Sequence, residues 1–225
     1  MKIGIIVAIE INAIFNHYKD YKKLDCPKGY ELYCIEKNQN EIYILRAGMG
    51  EVASSAGVQY LITGCGAEVI FNFGVVGGLK EEMKREKVCI VKRVVHYKYD
   101  CSEFMPLKIG QVDGHDSIFL NTDENMLKKV LKINPDLKSV TCCSGDKFVG
   151  TKEEKEEISK KFEGDICDME SAGIVLTCEA NSVPCLLLKA VSDGLSEGAD
   201  EFYIELEKAS DKCFSVLDKI IDEIV

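Results

Sequence analysis

The chain has 225 residues, 46% of them hydrophobic, and carries 28 basic against 38 acidic side chains for a formal net charge of −10. That length suits one α/β domain with a sizeable core, and the acidity argues against a nucleic-acid binder, whose phosphate contacts need a basic surface. Eleven cysteines and only three histidines, with no Cys-x-x-Cys and no metal-ligand spacing, speak against a zinc site and for buried thiols in a reducing compartment.

Ile3 to Ile9 is a continuous apolar run, fit for a strand buried on both faces, and a short helix follows from about Asn12 to Tyr18. Alternation over Glu31 to Glu36 and Ile42 to Leu45, around Asn38-Gln39-Asn40, predicts a hairpin. Arg46-Ala47-Gly48-Met49-Gly50 turns into a helix from about Val52 to Gly64. Its glycines permit positive φ and close approach of a ligand, although a plain strand-to-helix turn accounts for them as well. Glu68 to Phe73 reads as a strand running into Gly74-Val75-Val76-Gly77-Gly78, and Lys87 to Tyr97 as another. Tyr99 to Ser117 has no regular pattern, which marks a functional loop or a partner-contacting arm. A helix capped near Asn121-Thr122-Asp123 ends at about Ile133 before Pro135, and Ser139 to Cys143 is a strand. Thr151 and Glu154 form a capping box for a charged helix that reads as a solvated face. Leu206, Ala209, Cys213, Val216, Leu217, Ile220, Ile221 and Ile224 make a long amphipathic C-terminal helix. No apolar run approaches the roughly 20 residues of a membrane helix and no signal peptide is evident, so a cytoplasmic protein with no membrane partner is expected.

The chemistry concentrates between Asp165 and Asp193. An apolar segment ends at Met169, and Glu170 sits where a helix over about Ser171 to Asn181 begins. Pro184 blocks its continuation, and a second apolar run, Cys185 to Val191, ends in Ser192-Asp193. Read as strand–helix–strand, two acids stand at the carboxyl ends of two parallel strands, where open α/β sheets keep their ligand cleft. Bland alternatives exist for both. Ser-Asp-Gly is good turn chemistry, and the helix dipole favours a glutamate in a first turn.

Asp168-Met169-Glu170-Ser171-Ala172-Gly173, followed by Val191-Ser192-Asp193, resembles the signature of the purine nucleoside phosphorylase and nucleosidase superfamily. Met1 to Glu10, Ala47 to Gly50, Asn72 to Leu79 and Ser144 to Val149 resemble, in order, the opening strand, glycine turns and base pocket of its 5′-methylthioadenosine/S-adenosylhomocysteine nucleosidases. The resemblance implies a single domain over residues 1–225 with the three-layer α/β fold of that family, a central mixed twisted sheet flanked by helices. It implies N-ribosidic cleavage of adenine nucleosides by a homodimer that needs neither metal nor cofactor. Asp193 would protonate the departing adenine at N7, Glu170 would bind the ribose hydroxyls, and Met169 would pack on the sugar. Phe148 would stack on the purine, Val149 would read its edge through backbone groups, and Ser192 and Gly77 would lie against the substrate. Ile9, Met49 and Phe104 of a second subunit would enclose a 5′-alkylthio group.

Three positions depart from the family pattern. Asn12 stands where these nucleosidases carry the glutamate that activates water, Val75 replaces a serine, and Lys189 replaces an arginine. An amide orients water but takes no proton. Two alternatives therefore stay open: a phosphate-dependent phosphorylase, with Arg46 as the one attractive phosphate ligand, and a nucleoside-binding homologue with weakened catalysis.

Overall fold

A computed structural model describes residues 1–224. The opening apolar run forms β1 (Lys2–Val7). It stops two residues short of the expected Ile9 because the N–H groups of Ala8 and Ile9 turn to the Glu10 carboxylate. Helix α1 (Ile11–His17) follows directly. A three-residue strand, β2 (Lys22–Leu24), edges the hairpin β3 (Glu31–Lys37) and β4 (Asn40–Arg46). The hairpin turns on Asn38 and Gln39, both left-handed at φ 51° and 64°, as a two-residue primed turn demands. Next come α2 (Glu51–Thr63), β5 (Val69–Gly78) and β6 (Val88–His96). Residues 97–119 hold no helix or strand. After them stand β7 (Leu120–Asn121), α3 (Glu124–Ile133), β8 (Lys138–Ser144), α4 (Lys152–Phe162) and β9 (Ile166–Asp168). The chain finishes with α5 (Ser171–Ala180), β10 (Cys185–Asp193) and α6 (Ala199–Ile224).

All ten strands join one mixed sheet, in the order β10-β6-β8-β9-β5-β1-β4-β3-β2, with β7 paired to β6. Strand β10 also pairs with β5, so β5, β10, β6, β8 and β9 close on themselves and leave β1 to β4 as a side wing. One apolar layer packs Val58 and Leu61 of α2 and Ile174, Val175 and Cys178 of α5 against the sheet. The opposite layer packs Ile14 of α1, Val130 of α3 and Cys213, Phe214, Leu217, Ile220 and Ile221 of α6. The three-layer expectation holds.

One feature differs from the expected strand–helix–strand. Strand β9 runs antiparallel to β5, whereas β10 runs parallel to it, so the two strands that carry the acids oppose each other. They meet at Gly77, which pairs with Cys167 on one side and Asp193 on the other. A Cβ there would lie 3.0 Å from Cys167 Sγ and 3.2 Å from Asp193 Oδ2. Only glycine lets three strands converge this tightly.

Candidate active site

A cavity of about 370 Å³ opens where β5, β9 and β10 converge, within the range of small-ligand sites. Ile9, Met49, Gly77, Phe148, Val149, Met169, Glu170 and Asp193, all named by the sequence, lie on its wall, with Ala8, Glu10, Val75 and, from the start of α6, Phe202 and Tyr203. Glu170 and Asp193 therefore face one space. Phe148 meets Phe202 edge to face at 5.7 Å between centroids, so one apolar corner of the cavity is built from two distant stretches of chain.

Asp193 is the last residue of β10 and is 1% exposed. Its Oδ1 accepts from the Ser192 hydroxyl at 2.8 Å, and its Oδ2 from the Lys155 ammonium at 2.6 Å. Burial pushes the carboxyl above the ordinary aspartate range, and Lys155 opposes that push. Ser192 is absent from the cavity wall. It is wholly buried behind Asp193, with its hydroxyl also reaching the Val76 carbonyl at 3.3 Å, so its contact is with the acid.

Glu170 caps the N-terminal end of α5 through its backbone. Its side chain turns back, accepting from Gly50 N–H at 2.8 Å and Met169 N–H at 3.3 Å. Burial first, and then the neighbouring Asp168 charge, push its carboxyl up to about 7. Beside it on the cavity wall Asp168 pairs with Lys189 at 2.8 Å, both almost fully buried, and also accepts from the Ser171 hydroxyl. Burial alone would raise Asp168, and Lys189 turns the balance downward. Lys189 thus pairs with Asp168 and acts on Glu170 through its charge alone, without a hydrogen bond.

The structure does not bring Asn12 to the cavity. It is an exposed residue of α1 and absent from the wall, which corrects its expected place beside the water. Glu10 stands on the wall instead. Its Oε2 accepts from Ala8 and Ile9 N–H at 3.1 and 2.9 Å, and its Oε1 from Val75 N–H at 3.1 Å. Phe104 is exposed and off the wall. Arg46 is off the wall too, its guanidinium paired with Glu31 across the hairpin. Lysine 155 is the residue that sequence reasoning missed, since a charged run on α4 reads as solvated. The available signal was its spacing: Lys155, Ile158 and Phe162 form the buried stripe of that helix.

The profile of the phosphorylase superfamily matches residues 2–222. The chain belongs to this superfamily. An aminodeoxyfutalosine nucleosidase of Campylobacter jejuni is 31% identical over 93% of this chain and 95% of its own length. A 5′-methylthioadenosine/S-adenosylhomocysteine nucleosidase of Haemophilus ducreyi is 30% identical over 86% and 85%. The solved Helicobacter pylori 5′-methylthioadenosine/S-adenosyl homocysteine nucleosidase, in complex with a pyrrolo-pyrimidine inhibitor, superposes with a TM-score of 0.94 at 27% identity, over 100% of this chain and 99% of that one. The expectation of an enzyme from the nucleosidase and phosphorylase group is met by this membership.

Proposed function

We propose that this phosphorylase-superfamily chain hydrolyses the N-ribosidic bond of adenine nucleosides with an apolar 5′ substituent, releasing adenine. The observation that carries the reading is the single cavity faced by both Glu170 and Asp193. A carboxylate accepts two hydroxyl donors, as a ribose diol offers, and its charge favours an oxocarbenium-like transition state over the neutral ground state. Burial favours the neutral form of a carboxyl, and a positioned carboxylic acid can protonate a leaving nitrogen, which suits Asp193 as the acid at N7. Phe148 provides the stacking face with Phe202 set edge-on against it, Val149 the edge contact, and Met169 the sugar contact. Glu10 takes the role expected at position 12: Oε1, engaged by one N–H, keeps a lone pair for the attacking water.

Arg46, the one arginine weighed for phosphate, is tied to Glu31 away from the cavity, and this favours hydrolysis over phosphorolysis. The exposed Met49 and Phe104 suit a homodimer in which a second copy closes the apolar end around the 5′ group. The relatives' names make 5′-methylthioadenosine, S-adenosylhomocysteine and aminodeoxyfutalosine the substrates to compare. Free base released from each, and from adenosine and inosine, is followed with and without phosphate. Phosphate-independent release of adenine is expected. Strict dependence on phosphate replaces hydrolysis by phosphorolysis, and tight binding without release replaces catalysis by binding.

A further inference from the structure

Lys155 is 0% exposed although it comes from an otherwise solvated helix. Its three ammonium protons are all placed: on Asp193 Oδ2 at 2.6 Å, the Gly194 carbonyl at 2.7 Å and the Glu197 carbonyl at 2.8 Å. None is left for a ligand. Its stem passes 3.7 Å from where a Gly77 Cβ would stand, so the lysine lies directly beneath the point where the strands converge. Stability is a weak reason for this arrangement, because buried ion pairs are often replaceable by apolar side chains at no loss, and Ile158 and Phe162 already anchor α4.

We propose that Lys155 is the positioning residue for Asp193, holding one carboxylate oxygen in place and making the side chain a stronger acid toward the departing base. The inference rests on the nucleosidase reading above. As the C1′–N9 bond breaks, its electron pair passes to the purine and Asp193 gives its carboxyl proton to N7. The carboxylate left behind is already paired with the ammonium, while water adds to C1′ and passes a proton to the Glu10 carboxylate. The other charged or titratable groups around the pair are Cys167 on β9, Glu197 after β10, Glu201 on the first turn of α6, and Arg85, which pairs with Glu197 at 3.0 Å. None of them approaches Asp193 as a cation.

The test follows the carboxyl carbon of Asp193 by 13C NMR against pH in the wild type and in Lys155→Met, with no substrate present. Removing the ammonium should raise the Asp193 midpoint by at least about one pH unit, as loss of an adjacent opposite charge does. The kcat for 5′-methylthioadenosine should fall at least about tenfold, the step expected for one unit of lost interaction, with its alkaline limb moving the same way and KM little changed. If Lys155→Met does not fold, Lys155→Gln, which still donates to the loop carbonyls without a charge, must show the same rise. An unmoved midpoint in a folded neutral variant overturns the proposal, whatever happens to the rate. A wild type without turnover overturns the proposed function alone, because the titration still decides the role of the lysine.

Discussion

The two ends of the cavity are built from the same parts and behave differently. At each end a buried aspartate is gripped by a buried lysine, Asp193 by Lys155 at 2.6 Å and Asp168 by Lys189 at 2.8 Å. At the base end the paired aspartate itself faces the cavity. At the proposed sugar end Asp168 lines the cavity together with Glu170, and the lysine holds Asp168 rather than Glu170. Burial raises Asp193 and Glu170 alike, but of these two only Asp193 has a cation in direct contact to limit the rise. A paired acid can give up a proton and be stabilised afterwards. An unpaired one waits for hydroxyl donors to make its charge worthwhile. Direct contact with a lysine thus distinguishes Asp193, the proposed acid, from Glu170, the proposed clamp.

The largest effect expected is from Asp193→Asn, which keeps the shape of the base end but has no proton to give. Turnover of adenine nucleosides should fall by about 10² to 10⁴, the usual worth of positioned proton transfer, in a protein whose circular dichroism is unchanged; an unaffected rate would dismiss Asp193 as the acid. Breaking the buried pair at the sugar end should act on the fold instead. Lys189→Met leaves Asp168 charged, buried and alone, which costs about 3–5 kcal/mol, read as a lower midpoint in urea unfolding. Equal stability with wild type would mean that Asp168 finds another partner.

Glu170 sharpens the contrast through pH. Its folded carboxyl titrates near 7, against 4.5 as its ordinary value, so the folded state holds this proton more tightly than the unfolded state does. Its contribution to stability is present at low pH and lost as pH rises from about 4.5 through 7. Glu170→Gln should therefore be more stable than wild type at pH 8, by on the order of 1–3 kcal/mol at about 1.4 per unit. That advantage should vanish near pH 4, and nucleoside affinity should fall. Parallel melting curves across this range would contradict the assignment. The smallest effect separates two neighbours: Glu10→Gln should slow release about tenfold to a hundredfold, while Asn12→Ala should change it by less than about twofold, as surface substitutions usually do. Steady-state rates with both variants check this, and the reverse order would return the water to Asn12.

Periodicity and turn chemistry made most of the fold legible beforehand. The apolar run of β1, the hairpin turning on Asn38 and Gln39, the capped helices and the stripe of α6 follow from rules that act over a few residues. The family resemblance named eight residues of the cavity wall, Met169, Glu170 and Asp193 among them, but it missed Glu10, Phe202 and Tyr203 there and wrongly added Asn12 and Ser192. What lay beyond the sequence was the contact between stretches far apart in it. The pairing of β9 and β10 through Gly77, the edge contact of Phe148 with Phe202, and the burial of Lys155 all require elements to arrive from elsewhere. Local pattern determines conformation and which face is apolar. Whether a charged residue is solvated, or paired beneath a buried carboxyl as Lys155 is beneath Asp193, depends on the dielectric and the partner it meets, and only the assembled sheet supplies those.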